Sequence, residues 1–534
     1  MKTTILAVVV VFLLVLSRPA SSAVFQYTVP VATGKGQSKA FLWIPPKAPR
    51  IRGVVIGGMT LMEREMAKAP LIREACAAEQ LAIVFLKCGL GRVDPQKLLD
   101  NLAKVSGYRE LSAAPLMFVG HSAGGPPAKV LATDMRARCF GLVQYRGGTP
   151  SADKPVPPGI PALMMLGQFD EFGGTMRDES GRETWEGGRD ALIAFRTRNE
   201  GNLGSVVVEP GAGHFAWSGR NAEYLALFIR KAAQARIPSE QTGSKKKNVD
   251  LLEIDFLSGW LTDPTLGAAS RSEPAPYEEY RGDKNKAAWH FDKEMAQATV
   301  AYHADKFGKK DQFIKWNDPH WVDAGARFFF TQLTWVGDGQ TLRVHPVYAK
   351  VYPSRHGGRG PRWPNAGKPV GHSTGPIRVR HVSGPVVATG PDTLRMKYDN
   401  LTPADERSRV TFLAYSTGDA TYRYTEQVGM MPRGFRGLTK GTDQTITFPS
   451  IGKLKTNGGP IRLKASSDSG LPVEYYVAHG PATIVDGKLQ VAELPVRATF
   501  PITVKVVAWQ FGRGVEPLVK TAVPVEQTVR IERP

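Results

Sequence analysis

The chain has 534 residues, carries 69 Lys and Arg against 49 Asp and Glu for a formal net charge of +20, and contains three cysteines. Its length exceeds what one hydrophobic core organises, so two or three domains are expected. Cys76, Cys88 and Cys139 allow at most one bridge and include no Cys-x-x-Cys pair, which argues against a disulfide framework and a structural zinc site; the basic residues are scattered rather than interleaved with aromatics, which argues against a nucleic-acid module.

Behind Lys2 runs an unbroken apolar stretch, Ile5 to Leu16, followed by Ser-Arg-Pro-Ala-Ser-Ser-Ala ending at Ala23. A bilayer span takes about 18 to 20 apolar residues, so this shorter run predicts a secretory signal peptide over residues 1–23, cleaved near its small residues, and a secreted or periplasmic protein. No later segment is apolar enough to insert stably in a membrane. The positive charge suits an anionic polymer such as an acidic polysaccharide as partner, without identifying it.

Residues 24–240 alternate short apolar runs with helical patterns, the signature of an α/β domain with a mostly parallel sheet flanked by helices. Strands are expected at Gly53–Ile56, Leu81–Leu86, Leu116–Val119, Phe140–Gln144 and Leu163–Leu166. Between the first two, Ala69–Ala78 places Ala69, Ile72, the stem of Arg73 and Cys76 on one helical face, with Pro70 tolerated in the first turn. Asn221–Ala235 places Tyr224, Leu225, Phe228 and Ile229 on one stripe, predicting a terminal helix against the sheet. Pro238, Gly243, Ser244 and three consecutive lysines make 237–249 a linker. Residues 250–350 hold a helix over Lys286–Lys306 and aromatics at Trp316, Trp321, Phe328 and Trp335; hydrolase extension, cap and separate module stay open for them. The Gly, Pro and Arg of 354–375 read as a second linker.

Beyond residue 376 the pattern changes to short strands punctuated by Gly, Pro and Asp, such as Ile377–Val382, Thr393–Tyr398 and Val410–Tyr415, which predicts an all-β sandwich over 376–435. A second is expected over 444–534 from Ile446–Phe448, Ile461–Ala465, Val473–Ala478 and Thr503–Trp509. There the segments SSDSGLPVEYYV and GPATIVDGKL resemble bacterial immunoglobulin-like repeats.

The sharpest chemical signal is LMFVGHSAGG, an apolar strand running into Gly120-His121-Ser122-Ala123-Gly124 and then a helix-compatible segment. A serine lifted out of a tight strand-to-helix turn needs neighbours without bulk, which is what this pentapeptide provides. Gly371-His372-Ser373-Thr374-Gly375 repeats the pattern with neither a buried strand before it nor a helix after it, and is read as loop. A serine nucleophile needs a base near neutral pH. The first domain contains only His121, poorly directed beside the nucleophile, and His214, in the strand-loop-helix segment VVVEPGAGHFAW. The carboxylate that orients the base is assigned to Asp170 at the end of ALMMLGQFD, with its neighbour Glu171 as the alternative.

Carried in the order Ser122, Asp170, His214, this set resembles the α/β-hydrolase superfamily over roughly residues 24–240, most closely secreted esterases and dienelactone-hydrolase-like enzymes. The resemblance implies an oxyanion hole built from the backbone N–H of Ala123 and a second N–H in VVIGGMT, with Met59 favoured over Gly58 and Thr60. Tyr145, Phe169 and Trp217 are placed to line a substrate pocket, or to pack as core. The expected activity is hydrolysis of a carboxylic ester, on a polysaccharide or polyester, needing no cofactor and no metal. Competing readings are a serine peptidase and a non-catalytic cell-surface or carbohydrate-binding protein. Activity on a small ester is expected to stay with residues 24 to about 350.

Overall fold

A computed structural model describes residues 24–34, 36–58, 61–150, 155–170, 184–239, 249–265, 272–306, 308–317, 333–353, 365–406, 408–431 and 437–533. The signal peptide, residues 240–248 and 354–364 of the two linkers, Trp321 and Phe328 lie outside them.

Strands β1 (Tyr27–Thr33), β2 (Gly36–Trp43), β3 (Gly53–Gly58), β4 (Leu81–Leu86), β5 (Leu116–His121), β6 (Cys139–Tyr145), β7 (Ala162–Gly167) and β8 (Gly204–Glu209) form one eight-stranded sheet in the order β1-β2-β4-β3-β5-β6-β7-β8. β2 runs antiparallel to both neighbours and every pair from β4 to β8 is parallel. The central strands read as continuous apolar runs because both sheet faces are covered, and successive side chains go to opposite faces. Ile83, Phe85, Met117 and Val119 enter one core with helices α1 (Leu61–Lys68), α2 (Pro70–Ala78) and α6 (Gly219–Arg236). Val84, Leu86, Leu116 and Phe118 enter the other with α3 (Pro95–Ser106) and α4 (Gly125–Asp134). Arg73 on α2 lies with its guanidinium 4.9 Å from the Phe25 ring and 5.0 Å from that of Trp43. This N-terminal region has the α/β-hydrolase fold.

The edge strand β8 does not end the packing. A strand at Ala288–His290 and a helix, α7 (Lys293–His303), follow α5 (Thr184–Arg198) and α6 in the chain and lie against β8. His303 Nε2 accepts from the amide of Val208 at 2.9 Å, and the Ser205 hydroxyl donates to the carbonyl of Trp289. A bare edge would expose such groups to other chains. The helix expected from Lys286 starts at Lys293, because Asp292 caps it, accepting from Met295 N at 3.0 Å, and Trp289 and His290 are buried in a strand paired with Trp260–Thr262.

The C-terminal region consists of several small, mainly antiparallel sheets. Trp316, Leu342, Val379, Leu394, Phe412 and Val428 share one core, which also takes in Trp509 and Phe511 from the end of the chain. Leu489, Val504, Val506 and Ile531 centre another. Residues 250–350 thus divide: the strand and helix at 288–303 pack on the hydrolase sheet, and Ile314, Trp316, Leu342 and Val344 enter the β-rich core. At the far end of the hydrolase sheet, Val496 N donates to Pro46 O at 3.1 Å and Arg497 reaches Gly107 O at 2.6 Å. All three cysteines are buried and free. Among the described residues no helix is long and apolar enough to cross a membrane.

Candidate active site

The serine is set up by packing. β5 ends at His121 and α4 begins at Gly125, leaving a single turn, Ser122–Gly124, in which Ser122 adopts a φ of 52°. That left-handed backbone costs a non-glycine residue of order 1–3 kcal/mol and persists only where the surroundings enforce it. Here they do. A Cβ on Gly120 would stand 2.2 Å from the Gly124 carbonyl oxygen, one on Gly125 2.0 Å from that of Gly147, and one on Gly147 2.2 Å from that of Ser122. Pro126 and Pro127 occupy the first turn of α4, where missing N–H groups cost no helical bond.

Beneath the turn sits a carboxylate that the sequence reading overlooked. Glu63, fully buried on α1, accepts from the His121 amide at 2.7 Å, and a Cβ on Gly124 would come within 2.5 Å of the same oxygen. The only sequence signal is an acid in the first turn of the helix after VVIGGMT. Nothing in the motif itself points to it.

β7 and β8 deliver the other two residues. His214 Nδ1 lies 2.9 Å from both carboxylate oxygens of Asp170, with the two residues 3% and 7% exposed. A carboxylate only accepts, so Nδ1 carries the proton of this bond. His121 is turned to another use. Its Nε2 donates to the backbone carbonyl of His214 at 3.0 Å with the rings 4.8 Å apart, and burial together with the adjacent His214 holds its pKa well below the usual histidine value. It therefore ties the serine turn to the histidine loop as a neutral ring.

Tyr145 is fully buried and its hydroxyl donates to the carbonyl of Ala216, so it holds the histidine loop from inside the core. Trp217 is half-buried with its ring 6.1 Å from that of Tyr145, and Phe169 packs 5.4 Å from Phe313. Ala123 is exposed at the turn; Met59, Thr60 and Glu171 lie outside the described residues.

The second pentapeptide sits in a different environment. Ser373 is 1% exposed, its amide donates to Gln312 Oε1 at 2.9 Å, its hydroxyl lies 3.0 Å from that of Tyr348, and His372 stacks on the Tyr348 ring at 4.2 Å. Among the described residues no group of three or more His, Cys, Asp or Glu side chains is arranged to hold a metal ion.

No protein-family model and no curated protein matches the chain. It is similar to solved structures over its hydrolase region. A poly(3-hydroxybutyrate) depolymerase from Bordetella parapertussis is 14% identical, with 40% of this chain and 92% of that one covered at a TM-score of 0.28. A hyperthermophilic esterase from Pyrobaculum calidifontis is 15% identical, with 39% and 85% covered at 0.27. A thermostable carboxylesterase cloned from a metagenomic library is 15% identical, with 40% and 92% covered at 0.29. The strand order β1-β2-β4-β3-β5-β6-β7-β8, with β2 antiparallel and the rest from β4 on parallel, is that of an α/β-hydrolase sheet.

Proposed function

We propose that the chain is a secreted serine hydrolase that cleaves carboxylic esters through an acyl-enzyme. The observation that carries this reading is the strained Ser122 turn, tied through His121 to a buried His214 whose Nδ1 lies 2.9 Å from both oxygens of Asp170. Ser122 Oγ attacks the ester carbonyl while His214 Nε2 takes its proton. The tetrahedral oxyanion is met by the Ala123 amide and a second N–H at Met59, each donor of this kind lowering the barrier by about 2.7–4 kcal/mol. His214 then protonates the departing alcohol, and water, deprotonated by the same nitrogen, releases the acid. Asp170 holds the tautomer and stabilises the imidazolium.

A polymeric ester is the proposed substrate, an acylated polysaccharide first and a polyester next, on the strength of the signal-like leader, the positive charge and the β-rich C-terminal region with its immunoglobulin-like resemblance. Trp217 and Phe169 are proposed to border the acyl site. The domains proposed are 24–240 as the α/β unit that carries the triad, on which 288–303 packs, and 376–435 and 444–534 as β-sandwiches, the first of which shares its core with Ile314, Trp316, Leu342 and Trp509. An acid quench of the protein with excess 4-nitrophenyl acetate, followed by intact-mass measurement, tests the chemistry: an acetyl adduct is expected in the wild type and its absence in Ser122→Ala. Turnover with no adduct in either protein, and no burst of nitrophenol, would count against a covalent route.

A further inference from the structure

His214 is held from a direction that the hydrolase sheet does not supply. The strand Thr425–Met430 belongs to the β-rich region, and its Glu426, 213 positions after Gly213 in the chain, accepts the Gly213 amide proton on Oε1 at 2.9 Å. The side chain is 1% exposed, and its other oxygen is bonded to Arg380 Nη2 at 2.9 Å and to the Tyr424 hydroxyl. Loop and strand meet backbone to backbone: Gly211 has a φ of +72°, and a Cβ there would stand 1.7 Å from the Tyr424 carbonyl oxygen. The acid loop is joined to the same segment. Gln168, two residues before Asp170, accepts on Oε1 from Gly211 N at 2.8 Å and from Arg423 Nη1 at 3.3 Å. Phe215, directly after the histidine, packs against the core of Trp316, Phe412 and Val428.

These contacts have an energetic logic. A glycine-rich loop carries little side-chain packing of its own, so its conformation depends on what its amides bond to. A carboxylate acceptor makes a charge-assisted bond roughly twice as strong as a neutral one. Placed one residue before the base, that bond sets where the imidazole starts.

We propose that Glu426 is a positioning residue of the active site: by accepting the Gly213 amide it fixes the loop that aims His214, so that a strand of the C-terminal region completes the catalytic geometry. The proposal rests on Ser122, Asp170 and His214 acting as above. It runs against the expectation that activity stays with residues 24 to about 350.

The test uses the full chain and 4-nitrophenyl acetate, with folding checked by circular dichroism. Glu426→Gln keeps an acceptor oxygen at the same reach and loses the charge. Glu426→Asp keeps the charge opposite Arg380 and withdraws the acceptor by one carbon–carbon bond; Glu426→Ala removes both. Misplacement of a reacting group by about 1 Å costs about 10²-fold, so Asp and Ala should lower kcat by that order with KM within about 2-fold, while Gln stays within about 3-fold of the wild type. Two results overturn the proposal: wild-type kcat in both Asp and Ala, or Asp near wild type with Gln as impaired as Ala, which would reduce Glu426 to an ion-pair partner of Arg380. Should the Ala variant not fold, the Asp and Gln pair decides alone. A fully active Ser122→Ala sinks the underlying reading and this one together; an inactive Ser122→Ala with unaffected Asp and Ala variants sinks only this one.

Discussion

At the scale of single residues, the serine site depends on what is missing from its neighbours. Gly147 follows Arg146, itself at a φ of 48°, and offers its hydrogen to the Ser122 backbone at a separation that admits no methyl group. Gly147→Ala should therefore displace the turn, lowering stability by about 1–3 kcal/mol as overpacking does and kcat by about 10²-fold. Urea unfolding and ester turnover check the two effects; a variant with unchanged kcat would mean the turn tolerates the shift. The turn at Ser122 and the strand-end loops that bring His214 to Asp170 were legible in the sequence because strand ends and small-residue turns leave local signatures. Glu63 and the tying role of His121 were not, because a buried carboxylate under a turn and a ring donating to a distant carbonyl arise only once the chain is folded.

Among elements, legibility followed burial. Strands covered on both faces, such as Leu81–Leu86 with all six residues buried, stand out as apolar runs. The hairpin β1–β2, with exposed positions at Pro30, Gly36 and Gln37, leaves a weaker pattern, and the sequence reading began the sheet only at Gly53. The early start assigned to α7 has a physical cause: Ala288 and Trp289 suit a helix by composition, yet burial against β8 holds them in a strand paired with Trp260–Thr262, and Asp292 marks the true start. Asp292→Ala should cost about 0.5–2 kcal/mol, the range for losing such a cap, and leave kcat unchanged because α7 lies behind β8. Unchanged stability would show that the helix does not depend on this cap.

For the whole molecule, the parts that were illegible join residues hundreds of positions apart. Arg497 spans 390 residues to reach Gly107, and Glu426 spans 213 to reach Gly213; no local pattern encodes either. The long-range core also contains fully buried histidines. Burial lowers the pKa of His121 well below its usual value and that of His290 to about 3, so both stay neutral in the fold while the unfolded chain takes up protons from about pH 6.5 downward. The stability they confer is complete above that value and declines as pH falls toward the folded pKa, by about 1.4 kcal/mol per pH unit for each histidine still neutral. Urea midpoints at pH 7, 5.5 and 4.5 should fall in that order, with the slope reduced in a folded His290→Gln variant; a flat profile would contradict the burial argument.

Whether Ser122 is a nucleophile made reactive by its turn and by His214 can be read out by labelling the full-length protein with a fluorophosphonate and mapping the modified peptide. One modified site is expected, Ser122, with labelling abolished in Ser122→Ala, strongly slowed in His214→Ala and unchanged in Ser373→Ala. Labelling at Ser373, or a folded Ser122→Ala protein that labels and turns over ester like the wild type, would contradict it.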